Sequence, residues 1–467
     1  MRRRRGDGGR QEFASLCLAL EENDPNTTRA RLDNQLIYLS DDDVLRFGRA
    51  LTSNTMITAL EVAIPERLGA SVYHGVCQFL ASAPQLEELR IEEHGENEAL
   101  EARLIAAISR NRNIRKLILN SQCARHAHLL SICFESLKGT LRELELYDNG
   151  LSPHERGHFN ATELNEQHHI IAGAVRRLQN LESLKIFAWT NSSEILSGFL
   201  TGLSIGPPIK LQRLEVRKHF SAENVETEFI GSVRAALACM PALQTLCFNV
   251  PLEIEDSWNI LTDCIQAHPG ICDLAIGIDR RALLQIVHLI SEKDTLKRLL
   301  VHAGEGWASA RSILEAITDH PSLEAFHLEF KDMKLNFEAK QIELGSIVPR
   351  IKGVKEFGLY VSDYHPIPLP EHIPSELFQG FENNSSFTSV KLDWHKKGTQ
   401  VHQAIDFYTA RNKHVGCLLA ASKSDMFSAF VDLFAEYDNE YDGYPETALA
   451  VVFVCLRSRD DWRHDLY

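Results

Sequence analysis

One motif constrains this chain more than anything else in it: apolar-x-x-apolar-x-apolar recurs twelve times between residues 57 and 392. It reads Ile57-Leu60-Val62, Leu86-Leu89-Ile91, Ile114-Leu117-Leu119, Leu141-Leu144-Leu146, Leu181-Leu184-Ile186 and Leu211-Leu214-Val216. It continues as Leu243-Leu246-Phe248, Ile271-Leu274-Ile276, Leu296-Leu299-Val301, Leu323-Phe326-Leu328, Val354-Phe357-Leu359 and Phe387-Val390-Leu392. Successive starts lie 25 to 33 residues apart, except for 40 between Leu141 and Leu181. Random apolar clustering does not hold so narrow a period, so the chain is a tandem array. A weaker unit, Ile37 and Leu39, is expected to precede the twelve.

Each unit changes periodicity halfway. The motif itself alternates, as a strand with one buried face does. The segment after it has helical spacing, as in Leu104, Ile105 and Ile108 or Ile313, Leu314 and Ile317. Ser40 with Asp43 three residues on marks a helix start before the apolar run 44–51. A strand and a helix in about 28 residues form one unit of an α/β solenoid, which buries its apolar face only against its neighbours.

With these repeats the chain resembles the ribonuclease-inhibitor-like leucine-rich-repeat superfamily over roughly residues 30–395. Leu141-Arg-Glu-Leu144-Glu-Leu146-Tyr-Asp-Asn149-Gly-Leu151 matches that family's LxxLxLxxNxL pattern most fully. The Asn position departs from the pattern elsewhere, being His94, Gln122, Trp189, His219, Pro251, Asp279 and Gly304 in other units. The resemblance implies a right-handed β-α superhelix bent into an irregular horseshoe of about 12–13 repeats, with parallel strands on its concave face.

The ends read differently. Residues 1–12, with Arg2–Arg5 and three glycines, are expected to be a disordered basic arm, and 13–30 an N-terminal helical cap. The solenoid is expected over 31–395 and a C-terminal helical cap over 396–467, with helices at 404–422 and 426–437 and a third apolar element at 447–457. The 40-residue interval carries an insertion, roughly 152–169, expected as a loop. The four prolines of 365–374 read as a stiff connector.

Composition narrows the function. The net charge is −15, with 64 acidic and 49 basic side chains, which opposes nucleic-acid binding. Ten cysteines are scattered without a CxxC pair, and Cys133 and Cys264 sit within helical patterns, so free thiols in a reducing compartment are expected. No stretch approaches the length of a membrane span. The short apolar run 13–20 is followed by Glu21 and Glu22 where a signal-cleavage site would need small residues. A cytoplasmic or nuclear monomer is the expectation.

No chemistry-bearing motif survives inspection. The EF-hand-like Asp438-Asn-Glu440-Tyr-Asp442-Gly443 has Leu449 where a bidentate Glu belongs. His126 with His128, and His168 with His169, lack partners at ligand spacing and read as surface or loop histidines. P-loop, GxGxxG and GxSxG patterns are missing, so neither enzyme activity, a cofactor nor a metal is expected.

The expected function is therefore non-enzymatic binding of another protein, as adaptor, inhibitor or scaffold. The alternatives are a ubiquitin-ligase substrate receptor without a recognisable F-box, and a GTPase-activating protein of the leucine-rich-repeat type. Residues between ladder positions point outward and give the candidate interface: Glu88, Arg90, Glu143, Glu145 and Tyr147, then Lys185, Phe187, Arg213, Glu215 and Arg217. Arg298, His302, His327 and Tyr360 extend it. Read strand by strand, this surface starts acidic and turns basic, with Tyr147, Phe187 and Tyr360 as aromatic anchors. Glu145→Lys is expected to spare folding, and Asp at Leu144 or Leu274 to destroy it.

Overall fold

The computed structural model describes residues 5–32, 41–64, 70–93, 98–121, 126–148, 161–188, 193–218, 227–252, 254–304, 306–330, 337–361 and 374–392. It also describes parts of 405–413. The chain divides into two compact units, Met1–Gly277 and Ile278–Tyr467.

The first unit opens with α1 (Arg5–Glu21) and β1 (Arg29–Leu32), then α2 (Asp41–Ser53), β2 (Ala59–Ile64), α3 (Ala70–Ser82) and β3 (Glu88–Glu93). It continues through α4 (Glu98–Ile108), β4 (Lys116–Ser121), α5 (Ala127–Leu137), β5 (Glu143–Asp148), α6 (Ala161–Val175) and β6 (Ser183–Ala188). It ends with α7 (Ser193–Ser204), β7 (Arg213–Lys218), α8 (Thr227–Ala238), β8 (Thr245–Asn249), α9 (Glu255–Ala267) and β9 (Asp273–Ile278). The second unit holds α10 (Leu283–Glu292), β10 (Arg298–Ala303), α11 (Trp307–Ala316), β11 (Ala325–Phe330), α12 (Phe337–Ile347), β12 (Glu356–Val361), α13 (Ser375–Asn383) and β13 (Ser389–Leu392).

Within each unit the strands pair in parallel and in chain order, which a helix between every two strands requires. The fold is a leucine-rich-repeat solenoid. Register carries the point, because ladder residues sit opposite one another along the sheet: Leu60, Leu89, Leu117, Leu144, Leu184, Leu214, Leu246 and Leu274 are successive partners. Every residue of the twelve motifs is buried except Val390 on the last described strand. Helical positions read from spacing, such as Leu104, Ile108, Ile313 and Leu314, complete the same core. Close helix packing needs small residues at one contact: a Cβ on Gly75 would lie 2.8 Å from Gly48 Cα, where α2 meets α3.

A buried Asn or His three residues before the first ladder residue ties one repeat to the last. Asn111 Nδ2 donates to Leu80 O and Ala83 O, at 3.2 and 2.8 Å, while its Oδ1 accepts from Asn113 N. Asn384 Nδ2 reaches Val348 O and Ile351 O, both at 2.8 Å, and Asn54 Nδ2 reaches Leu20 O. His268 and His320 do the same through Nε2, to Met240 O and Lys293 O. These side chains satisfy carbonyls that a helix end leaves without an internal partner. The position of Asn149 itself lies outside the described residues, as do His94, Gln122, Trp189 and His219. Asp279, at the equivalent position, instead caps a short 3-10 turn through Arg281 N and Ala282 N.

Several expectations change. Residues 5–12 are helical, continuous with a helix anchored by buried Cys17 and Leu20, so the arm expected over 1–12 is ordered from Arg5. The first strand is Arg29–Leu32, with Ala30 and Leu32 opposite Leu60 and Val62, two residues before the expected start of the solenoid. Ile37 and Leu39, assigned to that unit, lie outside the described residues. Thr27 and Ala30 occupy positions of large apolar residues, which hid the strand in the sequence. The second half of the 152–169 insertion is the start of α6, because Ile171, Ala172 and Val175 bury one face of a helix that Ala161 begins. The prolines before Pro374, and most of the segment expected as a C-terminal cap, lie outside the described residues. Asn412 Nδ2 bonds Asn384 O and Phe387 O, repeating what Asn384 does one repeat earlier.

Candidate binding surface on the sheet

The face of each strand away from the ladder carries the first, third and fifth residues of the motif's strand, and in parallel register these form rows across the sheet. In the first unit one row runs Arg29, Ala59, Glu88, Lys116, Glu143, Ser183, Arg213, Thr245 and Asp273. The next runs Arg31, Glu61, Arg90, Ile118, Glu145, Lys185, Glu215, Cys247 and Ala275. The third holds Ala63, Glu92, Asn120, Tyr147, Phe187, Arg217 and Asn249.

Charge alternates along these rows, so neighbouring strands neutralise each other. Glu88 meets Arg29 at 2.9 Å and Lys116 at 3.4 Å, and Lys116 also meets Glu143 at 3.5 Å. Arg90 pairs with Glu92 and, at 3.6 Å, with Glu61. The expected acidic and basic stretches therefore do not exist as fields. Seven cations, Arg29, Arg31, Arg90, Lys116, Lys185, Arg213 and Arg217, face seven carboxylates, Glu61, Glu88, Glu92, Glu143, Glu145, Glu215 and Asp273. The cause is spatial: partners on adjacent strands, about 4.8 Å away, add to partners two residues along the same strand, such as Glu92 for Arg90 and Glu215 for Arg213 and Arg217.

Strands β5 to β7 differ in kind. Glu145 and Glu215 are buried, at 6% and 2% exposure, although both belong to the face expected to be outward. Each holds two neighbours. Glu145 accepts from Lys185 Nζ at 2.6 Å and from the Tyr147 hydroxyl at 3.2 Å. Burial, and then the charge of Glu145, pushes the Tyr147 phenol up to about 12, which keeps its proton in that bond. Glu215 accepts from Arg213 Nη2 at 3.4 Å and lies 2.6 Å from Arg217 Nε. That second contact is an ion pair without hydrogen-bond alignment, since Arg217 Nε has no aligned acceptor. Tyr147 and Phe187 stack with centroids 4.2 Å apart and planes 1° from parallel, and Arg217 Cζ lies 5.5 Å from the Phe187 ring centre. The expectation that Glu145→Lys spares folding is overturned by this burial, because the new ammonium would meet Lys185.

In the second unit the rows are Arg298, Ala325, Glu356 and Ser389; Leu300, His327, Gly358 and Lys391; and His302, Glu329 and Tyr360. His302 Nδ1 lies 2.6 Å from Glu329 Oε2, and His327 Nδ1 lies 3.2 Å from the Tyr360 hydroxyl. Gly358 makes the latter contact possible, because any Cβ there would strike His327 Nδ1 and the Tyr360 ring. Burial lowers the His327 pKa.

Sequence reasoning missed Arg29 and Arg31, whose strand it did not place, and the spacer role of Gly358. It also misjudged two histidines: His126 and His168 are buried, while His128 and His169 are exposed. His126 Nε2 pairs with buried Glu101 on α4, a partner 25 residues away that no local pattern reveals. Among the described residues no group of three His, Cys, Asp or Glu side chains could hold a metal. Their cysteines are free, and burial raises the Cys133 thiol to about 12 and Cys17 to about 11, which makes both inert. No described helix is long and apolar enough to cross a membrane.

No protein-family model and no curated protein matches this chain. Among solved structures it is similar to the leucine-rich repeat-containing protein LegL7 from Legionella pneumophila, at 14% identity and a TM-score of 0.37, over 75% of this chain and 96% of that one.

Proposed function

We propose that the chain is a non-enzymatic protein-binding solenoid of the ribonuclease-inhibitor-like type, acting as an adaptor, inhibitor or scaffold. Repeats of about 28 residues with an α-helix in nearly every unit support the subtype. The partner docks on the sheet face of the first unit, centred on β5 to β7. The observation that supports this reading is the Tyr147–Phe187 stack with Arg217 beside it, the residue types that dominate interface energetics, on the sheet face, where Phe187 is buried at 9% exposure, Tyr147 is half-buried and the Arg217 side chain keeps 43% of its exposure.

Proximity labelling in the native cell tests it, comparing wild type with Ser183→Trp, which puts bulk on the sheet face between Glu143 and Arg213. Ile132→Trp on α5, where the residue is 63% exposed, is the helix-side control. Loss of a partner set in Ser183→Trp alone is expected. An unchanged set in a folded Ser183→Trp protein would overturn the sheet-face reading.

A further inference from the structure

We propose that the edge of β13 is a docking site for residues 415–420 of this same chain, Val-Gly-Cys-Leu-Leu-Ala, which add one more parallel strand to the solenoid. Among the described residues β13 is the last strand of the second unit and pairs with β12 alone. Residues 415–420 lie outside the described residues, and what points to them lies within.

Asn412 fixes where the segment begins. Four side chains reach the carbonyl three residues before the preceding motif: Asn111 to Ala83 O, His268 to Met240 O, His320 to Lys293 O and Asn384 to Ile351 O. In all four a new motif starts three residues after the tie, at Ile114, Ile271, Leu323 and Phe387. Asn412 Nδ2 donates at 2.9 Å to Asn384 O, which likewise stands three residues before Phe387. Three residues after Asn412 stands Val415, 28 residues from Phe387, and Val415-Leu418-Ala420 has the spacing of every other motif. Ala420 is small, as Ala30 is in β1, which weakens the pattern in the sequence. Residues 405–413, described in part, are helical with Ile405 buried, and hold the place of the helix that precedes each strand.

β13 also lacks what every earlier strand has. Val390, its central ladder residue, is half-buried where the corresponding Phe326 and Phe357 are fully buried. The 28-residue step sets Leu418 opposite Val390, so the new strand supplies the missing apolar neighbour. The main chain follows the same step. Lys355 N and Glu356 N share Glu324 O at 2.7 and 3.1 Å, and Thr388 N and Ser389 N share Lys355 O at 2.8 and 3.0 Å. Thr388 O is the next acceptor in that series, with Gly416 N and Cys417 N as its donors.

The occupant comes from the same chain because Asn412 is already anchored three residues before it. Closing so short a connection costs little entropy, and no second molecule matches that local concentration. The six residues carry neither charge nor proline, so nothing in them opposes pairing in a covered strand. An uncovered edge is a template for any extended chain, and this cover removes it. In that register Cys417 and Leu419 join the sheet-face rows beside Ser389 and Lys391, and the solenoid runs past residue 395. The second unit therefore offers a partner its face and not its edge.

Ser389→Cys in the full chain tests the register, because facing residues on adjacent strands lie within disulfide range and Cys417 is the native partner. Mild oxidation and peptide mass mapping are expected to find a bridge from position 389 to Cys417 within one molecule. Val390→Cys, which points to the opposite face, should not form it. A bridge to Cys417 of another molecule, seen as a covalent dimer, would give the edge to a second copy and overturn the proposal. A folded Ser389→Cys protein without a bridge to Cys417 would overturn it as well. Amide exchange in β13 supplies a second reading that needs no bridge. Leu418→Asp sets a charge against Val390 and should speed that exchange about tenfold, whereas Leu419→Asp, on the sheet face, should leave it unchanged. Equal exchange in the two variants would mean that residues 415–420 do not form this strand.

Discussion

Lys185 Nζ lies 2.6 Å from Glu145 Oε1 across two adjacent strands, and the carboxylate it meets is almost completely buried. A charge in that position is tolerated only while it is paired, because the desolvation penalty outlives the partner. Glu145→Lys sets two ammonium groups side by side and strips the Tyr147 hydroxyl of its acceptor, at a cost of about 3–5 kcal/mol. Glu145→Gln keeps an acceptor for Tyr147 and leaves Lys185 to water, with a loss of about 1 kcal/mol. Thermal unfolding of both variants checks this. Equal midpoints for the two would mean that Glu145 acts only as a surface charge.

The apolar ladder makes a sharper demand. Leu144 is fully buried between Leu117 and Leu184, and its truncation to Ala leaves a cavity worth about 2–5 kcal/mol. Leu144→Asp adds an unpaired buried charge and should leave the first unit unable to fold. Far-ultraviolet circular dichroism separates the outcomes: native helix content with a lowered midpoint for Ala, and lost content for Asp. A folded Leu144→Asp protein would mean the strand register is wrong.

The ladder was legible because its period survives every substitution of one large apolar residue for another. The first strand shows the limit: Thr27 and Ala30 stand where the motif has large apolar residues, and only Leu32 keeps the pattern, which hid β1. The charge pattern of the face was not legible for a different reason. Glu145 and Lys185 are 40 residues apart in the chain and neighbours in space, so their pairing exists only once register is known. Reading along each strand places ten residues of the first unit on one face of the sheet but assigns them to fields that their neighbours cancel. Glu101 with His126 was missed likewise, since burial of both depends on how α4 meets the start of α5.

Asn111 offers a signal that the sequence does carry. Asn or His stands three residues before the first ladder residue at 54, 111, 268, 320 and 384, and each donates to a carbonyl of the preceding repeat. Asn111→Ala strands Leu80 O and Ala83 O without that donor and should cost about 1–3 kcal/mol. Asn111→His should recover part of it, as His268 manages with one carbonyl. Chemical denaturation of the three proteins decides. If Asn111→Ala unfolds at the wild-type denaturant concentration, the side chain is no inter-repeat tie.

His320 makes the same tie conditional on pH. Its Nε2 faces Lys293 O at 3.2 Å while Nδ1 accepts from Ser322 N at 3.3 Å. One nitrogen must donate and the other accept, so only the neutral ring satisfies both. Burial lowers its pKa from the ordinary 6.5, against a smaller opposing effect of the Lys293 carbonyl. A histidine whose folded-state pKa is depressed contributes fully above the unfolded value. Its contribution is lost as pH falls below about 6.5 toward the folded-state pKa, because the unfolded chain takes up the proton first. The second unit should therefore lose stability as pH falls below about 6.5, and amide exchange in β11, corrected for its intrinsic pH dependence, should speed up. His320→Asn, the residue used at 54, 111 and 384, should flatten part of that slope while keeping the tie. His327, whose pKa burial also lowers, contributes in the same direction. A slope unchanged in His320→Asn would remove His320 as a source of the pH dependence.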